Sequence, residues 1–188
     1  MFTPPSIHRQ HKNSSKASSD QITIISSKEL ILSDKQRNKN LPRFQIWLRR
    51  KQTAKNPLWK LVCKVFYRIS GLPYCNDIQT ISIGNGLYIG HPYGITINKD
   101  ARIGNYVNIH KGVTIGQENR GKRKGVPTIG SKVWIGINAT IVGRVIIGDD
   151  VLIAPNTYIN CDIPSHSIVF GNPAIIRHAD NATEHYVN

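Results

Sequence analysis

The chain has 188 residues, enough for one domain with an appendage and too few for a typical two-domain enzyme. Its formal net charge is +14, from 25 Lys and Arg against 11 Asp and Glu. No stretch approaches the roughly 20 apolar residues of a membrane span, so we do not expect an integral membrane protein. Three scattered cysteines, Cys63, Cys75 and Cys161, argue against a disulfide scaffold and against zinc. With no signal peptide at the N-terminus, a cytoplasmic location is predicted.

The positive charge is concentrated in the first third of the chain. Residues 1–72 contain 15 Lys and Arg against three acids, whereas the remainder contains 10 against eight. This basic part has no helix-turn-helix spacing, zinc-finger pattern or RNA-binding aromatic motif, so a nucleic-acid partner is not expected. A solvated basic appendage is the first interpretation, and a surface that contacts anionic lipid or glycan is the second.

Two N-terminal segments precede the main domain. Residues 1–27 are polar and are predicted to be a disordered tail, and residues 28–72 form a basic helical region. Within it, the pattern predicts a helix over residues 57–70, capped by Asn56 and stopped at Gly71. Its apolar residues follow a helical rhythm, at Leu58, Leu61, Val62, Val65 and Ile69. We favour packing of this stripe on the protein itself. The alternative is that the helix makes peripheral contact with the inner face of an anionic membrane.

From about residue 81 a six-residue period takes over, and it continues almost to the end of the chain. Thirteen isoleucines fall on the beat, with a two-residue slip after Ile95 and an eight-residue interruption after Ile115: Ile83, Ile89, Ile95, Ile97, Ile103, Ile109, Ile115, Ile129, Ile135, Ile141, Ile147, Ile153 and Ile159. A short period of this kind is typical of a repeat architecture.

The period has a direct structural meaning. Side chains alternate faces along a strand, so two inward residues in every six describe a short strand and a tight turn. Three such units close one triangular coil of 18 residues, and stacked coils bury their faces against each other. An ordinary β-sandwich has less regular spacing. The sequence therefore predicts an all-β solenoid over residues 73–176, with a loop at 117–128 and a C-terminal tail at 177–188.

The repeat resembles that of the bacterial hexapeptide-repeat acyltransferases, which fold as left-handed parallel β-helices. Within this group the segments GLYIGHPYGITIN, NIHKGVTIGQENRGKRKGVPTIG and GNPAIIR are most similar to serine acetyltransferases and to the O-acetyltransferases of capsule and exopolysaccharide synthesis. The resemblance implies acetyl-CoA as co-substrate, no metal, and a homotrimer with active sites between subunits.

Acetyl transfer to a hydroxyl needs a general base, and His is the usual one because its pKa lies near the working pH. The resemblance assigns this role to His91, which follows Gly90 at a coil edge. It also suggests that Asp77, 14 residues upstream and one residue short of the family spacing, orients His91.

Acceptor contacts are predicted nearby and in the basic loop. His110 occupies a position usually taken by Gly, and Lys111 follows it, so both are candidate acceptor-binding residues. The loop at 117–128 contributes Arg120 and Lys122, which suit an anionic partner; a merely solubilising loop is the alternative.

Coenzyme A is expected along the edge of the later coils. The resemblance assigns Ile137, Asn138 and Pro155 to this path, and Arg177 to a phosphate beyond the last coil. No P-loop, dinucleotide fingerprint or metal-ligand cluster is present in the sequence.

Two positions depart from the serine enzymes. Gly90 replaces the acid before the catalytic His, and Val126 replaces a second His that contacts the substrate. Because charged groups need partners when buried, this favours a neutral sugar hydroxyl of a surface polysaccharide over serine. L-serine O-acetylation is the alternative, and a non-catalytic scaffold is a third interpretation.

Overall fold

A computed structural model describes residues 25–187 as three helices followed by a parallel β-solenoid. The helices are α1 (Ser27–Arg37), α2 (Arg43–Thr53) and α3 (Pro57–Gly71), and a short 3₁₀ turn, Leu72–Tyr74, leads into the first coil. Ser26 caps α1: its side chain accepts a hydrogen bond from the backbone N–H of Glu29, and the Glu29 carboxylate accepts one from the backbone N–H of Ser26. The rest of the predicted polar tail, residues 1–24, lies outside the described residues.

Three sheets run along the solenoid, one on each side. The first contains β1 (Asp77–Ile78), β3 (Thr96–Ile97), β6 (Thr114–Gly116), β9 (Thr140–Val142) and β12 (Tyr158–Ile159). The second contains β4 (Arg102–Ile103), β7 (Thr128–Ile129) and β10 (Ile146–Ile147). The third contains β2 (Tyr88–Gly90), β5 (Asn108–His110), β8 (Val133–Ile135), β11 (Val151–Ile153), β13 (Ser167–Phe170) and β14 (Ile175–His178).

The strand register reproduces the sequence period. Ile97 pairs with Ile115, and Ile141 with Ile159, 18 residues apart in each case. Ile115 instead pairs with Ile141, 26 residues on, because the eight extra residues of the loop fall within this coil. Isoleucine therefore stacks on isoleucine, and the predicted solenoid is confirmed.

The core is an aliphatic column inside the triangle. All thirteen isoleucines of the repeat are buried, and the small or branched residues two positions before many of them are buried too: Ala101, Val107, Val113, Val133, Ala139, Val145 and Val151. Each coil covers its neighbour, so the end coils need a cap.

The helices provide that cap at the N-terminal end. Phe44 and Leu48 of α2 are fully buried and belong to the same apolar cluster as the first coils. Beside them lies a buried ion pair, in which the Arg49 guanidinium bonds both oxygens of Asp34 at 2.8 Å. Arg49 also donates to the carbonyls of Ile83 and Gly84, at 3.0 and 2.7 Å. Part of the basic charge is therefore structural, because it satisfies backbone groups at the coil end.

The helix predicted over 57–70 is present as α3, and the Asn56 side chain caps it by accepting from the Trp59 backbone. Its predicted orientation is wrong. The buried face carries Cys63, Tyr67 and Gly71, whereas the apolar stripe faces outward. On the inward face, Gly71 has no side chain to hold the helix away from the protein, and the Tyr67 hydroxyl accepts a hydrogen bond from the Ile78 backbone N–H. The side of α3 that packs on the protein is therefore the one with these contacts, and not the one with the apolar stripe.

The chain leaves the solenoid through an antiparallel strand, β14, which pairs with β13 and contains Arg177. The following segment returns to the coil turns, where the Asp150 carboxylate accepts from the backbone N–H groups of Ala182 and Thr183 at 3.0 Å. Among residues 25–187, no helix has the length and apolar character needed to cross a membrane.

Candidate functional site

One corner of the solenoid gathers half of the predicted site residues. Successive turns are joined there by backbone hydrogen bonds, from Gly112 N to Tyr93 O, from Asn138 N to Lys111 O and from Asn156 N to Ile137 O, each 2.9 to 3.0 Å long. We call residues 91–94, 111–112, 137–138 and 155–156 the histidine corner. Within the histidine corner, His91 lies at one end of a row of residues from successive coils, which continues through Lys111, Ile137, Asn138 and Pro155.

His91 lies in the widest turn of this corner. Gly90 pairs with His110 on one side of the turn, and Tyr93 O accepts from Gly112 N on the other, so the His91 turn holds two more residues than the turn above it. His91 has a left-handed backbone, with φ of 53°, and is exposed. Its ring makes no hydrogen bond to any residue between 25 and 187. The two-residue slip in the sequence period is therefore the insertion that pushes His91 outward.

Asn76 holds this turn from the coil below. Its side-chain amide donates to the Pro92 carbonyl at 2.8 Å, and its carbonyl oxygen accepts from the Ile95 N–H at 2.8 Å. Asn76 is 15 residues before His91, one more than Asp77 and equal to the family spacing that Asp77 misses. The residue next to the His91 turn is therefore the asparagine.

Asp77 points to a different environment. Its carboxylate accepts a hydrogen bond from the Gln79 side chain at 2.7 Å, and no hydrogen bond joins it to His91 within the described part of the chain. It lines a cavity of about 500 Å³ between α3 and the first coil, together with Lys51. Burial, together with the nearby Lys64, lowers the pKa of Lys51 to about 8, and Asp77 opposes the shift. The structure thus does not bring the predicted pair together.

His110 lies beside Gly90 and is half-buried. Its ring centre is 4.8 Å from that of Trp134, and its Nε2 atom is buried with no hydrogen-bond partner among the residues described. Burial lowers the pKa of His110, and the nearby His91 lowers it further. His110 is therefore biased toward the neutral imidazole, with one polar atom left unsatisfied.

The His110 ring also explains the glycine at position 90. A Cβ atom on residue 90 would lie 2.7 Å from His110 Cε1 and 2.8 Å from Nδ1, closer than carbon atoms approach without displacement. An acidic side chain at position 90 and the imidazole at position 110 therefore compete for one space. The imidazole at position 110, where the repeat usually has Gly, therefore requires the Gly at position 90.

The basic loop lies at another corner. Glu118 and Gly125 pair across it, and Arg123 forms an ion pair of 2.9 Å with Asp162. Arg120 and Lys122 are exposed there, so the fold of one chain does not place them beside His91.

The predicted coenzyme residues follow the histidine corner away from His91. Asn138 and Pro155 are exposed and Ile137 is half-buried. Arg177 lies on β14, at the opposite end of the sheet that begins with β2. Five strand spacings separate these strands, a distance of roughly 24 Å. An extended ligand that runs from His91 to Arg177 would cross every coil between them.

A cavity of about 730 Å³ lies at the third corner, and no predicted site residue lines it. Here His166 Nδ1 is 2.9 Å from the Asp150 carboxylate, which also anchors the C-terminal segment. This arrangement is structural. Within residues 25–187 no group of three or more His, Cys, Asp or Glu side chains is placed to hold a metal ion.

Two features of the site escaped sequence reasoning. The chemistry of an orienting carboxylate favours Asp77 in the sequence, although the full family spacing of 15 residues before His91 falls on Asn76. The contact between Gly90 and His110 has a sequence signal as well, since His110 replaces the usual Gly of the repeat at the position equivalent to Gly90 in the next coil.

Comparisons with known proteins show what the repeat and the fold are similar to. The family described as "Bacterial transferase hexapeptide (six repeats)" matches residues 127–161. A serine acetyltransferase of Helicobacter pylori is 39% identical over 92 residues, which cover 49% of this chain and 54% of that protein. A serine acetyltransferase of Synechococcus elongatus is 34% identical over 91 residues, or 48% of this chain and 37% of its own. The chain thus spans about half the length, or less, of these curated relatives.

Solved structures match a larger part of the chain. The soybean serine acetyltransferase apoenzyme covers 81% of this chain with a TM-score of 0.66 and 25% identity, and the match spans 69% of the soybean chain. Serine acetyltransferase isoform 3 of Entamoeba histolytica, solved in complex with cysteine, covers 82% with a TM-score of 0.60 and 26% identity, over 58% of its own chain. The chain therefore carries bacterial transferase hexapeptide repeats and is similar to serine acetyltransferases in both sequence and fold.

Proposed function

We propose that this protein is an acetyl-CoA-dependent O-acetyltransferase in which His91 is the general base. The observation that carries the proposal is the inserted turn, which exposes His91 at the head of a corner lined by Lys111, Ile137, Asn138 and Pro155. The similarity to serine acetyltransferases supports the same reaction class.

In the proposed reaction, an unprotonated ring nitrogen of His91 takes the proton of the acceptor hydroxyl. The hydroxyl oxygen attacks the thioester carbonyl of acetyl-CoA, forming the new C–O bond as the C–S bond breaks. The leaving thiolate receives the proton from His91, so the products are the acetyl ester and free coenzyme A. Proton transfer by a positioned side chain contributes about 10²–10⁴-fold to such a rate.

Asn76 positions the base in this proposal. Its two hydrogen bonds, to Pro92 and Ile95, bracket the His91 turn and fix where the imidazole emerges. A displacement of about 1 Å at a reacting group can cost 10²-fold in rate. Asp77, whose carboxylate faces Gln79 and Lys51, would act only through the electrostatics of the neighbouring cavity.

L-serine is the first acceptor to test. The curated relatives and the solved structures are serine acetyltransferases, and they support serine over the sugar acceptor that the sequence ranked first. Lys111, adjacent to His110 on the histidine corner, offers a cation for the serine carboxylate.

A sugar hydroxyl remains the second candidate, because of one structural observation. The His110 ring occupies the space that an acidic side chain at position 90 would need, and Val126 is apolar. The serine ammonium group therefore lacks a carboxylate at this point, and burying an unpaired charge is costly. A neutral sugar does not incur that cost.

A trimer would complete the site. Arg120 and Lys122 lie at a different corner from His91 within one chain, and a triangular prism has three sides on which identical copies can pack with closed symmetry. In such an assembly the basic loop of one chain lies against the histidine corner of its neighbour. Light scattering of the active protein should give three times the chain mass of 21.1 kDa.

The function is tested by thiol release from acetyl-CoA in the presence of L-serine and, separately, of neutral and acidic sugars. Turnover of serine at roughly 10⁴ M⁻¹s⁻¹ or more, with no sugar turned over, assigns the serine reaction. The reverse result assigns the glycan reaction. If no acceptor gives thiol release, whether or not the protein binds acetyl-CoA, the proposal is refuted and the scaffold interpretation is left.

A further inference from the structure

The outward face of α3 is apolar. Four apolar residues, Leu58, Leu61, Val65 and Ile69, fall within an arc of about 80° on the helix, at 3.6 residues per turn. They are between 46% and 71% exposed. The face that packs on the protein, with Cys63 and Tyr67, lies nearly opposite. An amphipathic helix normally buries its apolar arc, and here that arc is presented outward.

Cations border this apolar face on one side. Lys60, Lys64 and Arg68 are exposed and follow the helix at four-residue intervals, with Arg68 next to Leu61 around the helix. They open onto the cavity of about 500 Å³, where Lys51 and Lys99 add two more cations. Two carboxylates, Asp77 and Asp100, also line the cavity. Five cations against two acids leave an excess of positive charge along this edge.

Aromatic rings border the face on the other side. Trp59 and Phe66 are 47% and 45% exposed, and the Phe66 ring stacks on Trp47 with 4.6 Å between ring centres. Arg50 lies over the Trp47 ring at 4.5 Å. Tryptophan rings are favoured at the boundary between water and hydrocarbon, because one edge is apolar and the other can hydrogen-bond.

We propose that α3 docks on the surface of a bilayer rich in anionic phospholipid, with its axis parallel to the membrane. In this arrangement the apolar arc enters the boundary between headgroups and acyl chains, and the cationic edge meets the phosphates. Helices of this type bind through buried apolar area together with attraction to anionic lipid.

Charge complementarity selects this occupant over a second copy of the chain. Anionic headgroups neutralise the excess of cations beside the apolar arc. A second copy has the same cationic edge, so a contact between two α3 faces brings like charges together.

The experiment measures co-sedimentation of the full chain with vesicles of phosphatidylcholine alone and of phosphatidylcholine mixed with phosphatidylglycerol. We expect binding to the anionic vesicles only, weakened by added salt. Each cation near an anionic surface contributes appreciably to binding, so Lys60→Gln/Lys64→Gln/Arg68→Gln should reduce the partition coefficient by about tenfold or more. The matched control, Lys28→Gln/Lys35→Gln/Lys39→Gln, removes the same charge from exposed positions of α1 and the segment after it and should stay within about twofold of the wild type.

A second pair of variants tests the apolar arc. Leu61→Ser/Ile69→Ser changes side chains that are 57% and 59% exposed, and the control, Leu32→Ser/Ile146→Ser, changes side chains that are 60% and 62% exposed elsewhere. The first pair should lose about tenfold or more in vesicle binding, and the control should lose little. Equal binding to neutral and anionic vesicles, or equal losses in variants and controls, would overturn the proposal. The proposal would also be overturned if the Leu61→Ser/Ile69→Ser variant changed the mass of the particle in solution without a change in vesicle binding. That result would mean that the apolar face contacts another copy of the chain.

Discussion

Two corners of the solenoid carry a histidine in the same backbone conformation, and they differ in what surrounds it. His91 and His166 have φ values of 53° and 59°. His166 is joined to Asp150, which also binds the C-terminal segment, whereas His91 has no hydrogen-bond partner within residues 25–187 and is held only through its turn by Asn76. The left-handed conformation therefore belongs to the corner geometry. The chemistry of each histidine is decided by its partners.

Substitution of each histidine by alanine should give the largest difference between the two corners. His91→Ala should lower kcat by about 10²–10⁴-fold, because the acceptor hydroxyl loses its proton acceptor. His166→Ala should leave kcat within about twofold and change the free energy of unfolding by about 1 kcal/mol, as expected when one hydrogen bond from an exposed side chain is lost. Steady-state kinetics and urea unfolding of both variants check this. Comparable losses of activity in the two variants would show that the corners do not differ in the way proposed.

The support beneath His91 should have the next largest effect. Asn76→Ala removes both bonds to the turn, and we expect kcat to fall about 10-fold with KM for acetyl-CoA little changed, because the base is misplaced while the corner row remains. Asp77→Asn should lose less, since Asp77 contacts Gln79 and not the turn. Asn98→Ala is the matched control, because Asn98 also makes two side-chain hydrogen bonds, at another corner. A larger loss for Asp77→Asn than for Asn76→Ala would restore the carboxylate as the orienting residue.

The shared space at positions 90 and 110 gives a smaller, structural effect. Gly90→Asp should destabilise the protein by about 1–3 kcal/mol, because the new side chain meets the His110 ring. Adding His110→Ala should recover part of this loss, so the two changes should be non-additive by about 0.5–3 kcal/mol. Denaturant unfolding of the four proteins in the cycle measures the coupling. Strict additivity would mean that the ring moves aside without cost.

The smallest effect concerns pH at the Asp150 corner. Desolvation alone would raise the pKa of Asp150, but hydrogen bonds from Thr183, His166 and Ala182 outweigh it and lower the pKa below the usual 3.8. A lowered pKa means that the stabilisation is present above pH 3.8 and is lost as the pH falls below it. Asp150→Asn should remove this dependence, worth about 1 kcal/mol, and loosen the C-terminal segment. The prediction is contradicted if the free energy of unfolding of the variant depends on acid pH in the same way as that of the wild type.

Some of the architecture could be predicted because it repeats. Thirteen isoleucines at a constant interval leave few alternatives to stacked coils, and the eight extra residues after Ile115 appear as a loop in the coil where the spacing lengthens. The boundaries of α3 were also predictable, because the Asn56 cap and the stop at Gly71 are local signals. Local and periodic features need no knowledge of the rest of the fold.

Other features depend on which residues meet across the fold. The apolar stripe of α3 predicted the wrong inward face, because Tyr67 and Gly71 fit against the first coil and the stripe does not. The charge of the N-terminal third did not reveal that Arg49 is fully buried against Asp34. Neither outcome is visible in composition or spacing, since both depend on contacts between segments far apart in the chain.

The candidate site divides in the same way. The sequence predicts its location, because His91 follows a repeat beat, but it puts the two-residue slip after Ile95, whereas the strand register places the extra residues between Gly90 and Tyr93. Its internal arrangement required the coordinates: Asn76 rather than Asp77 beside the turn, and the His110 ring in the space over Gly90. A repeat determines which coil a residue occupies, because the hydrophobic interior enforces a constant register along the chain. Which side chains touch at a corner is decided only when neighbouring coils stack, since each contact there joins residues about 18 positions apart.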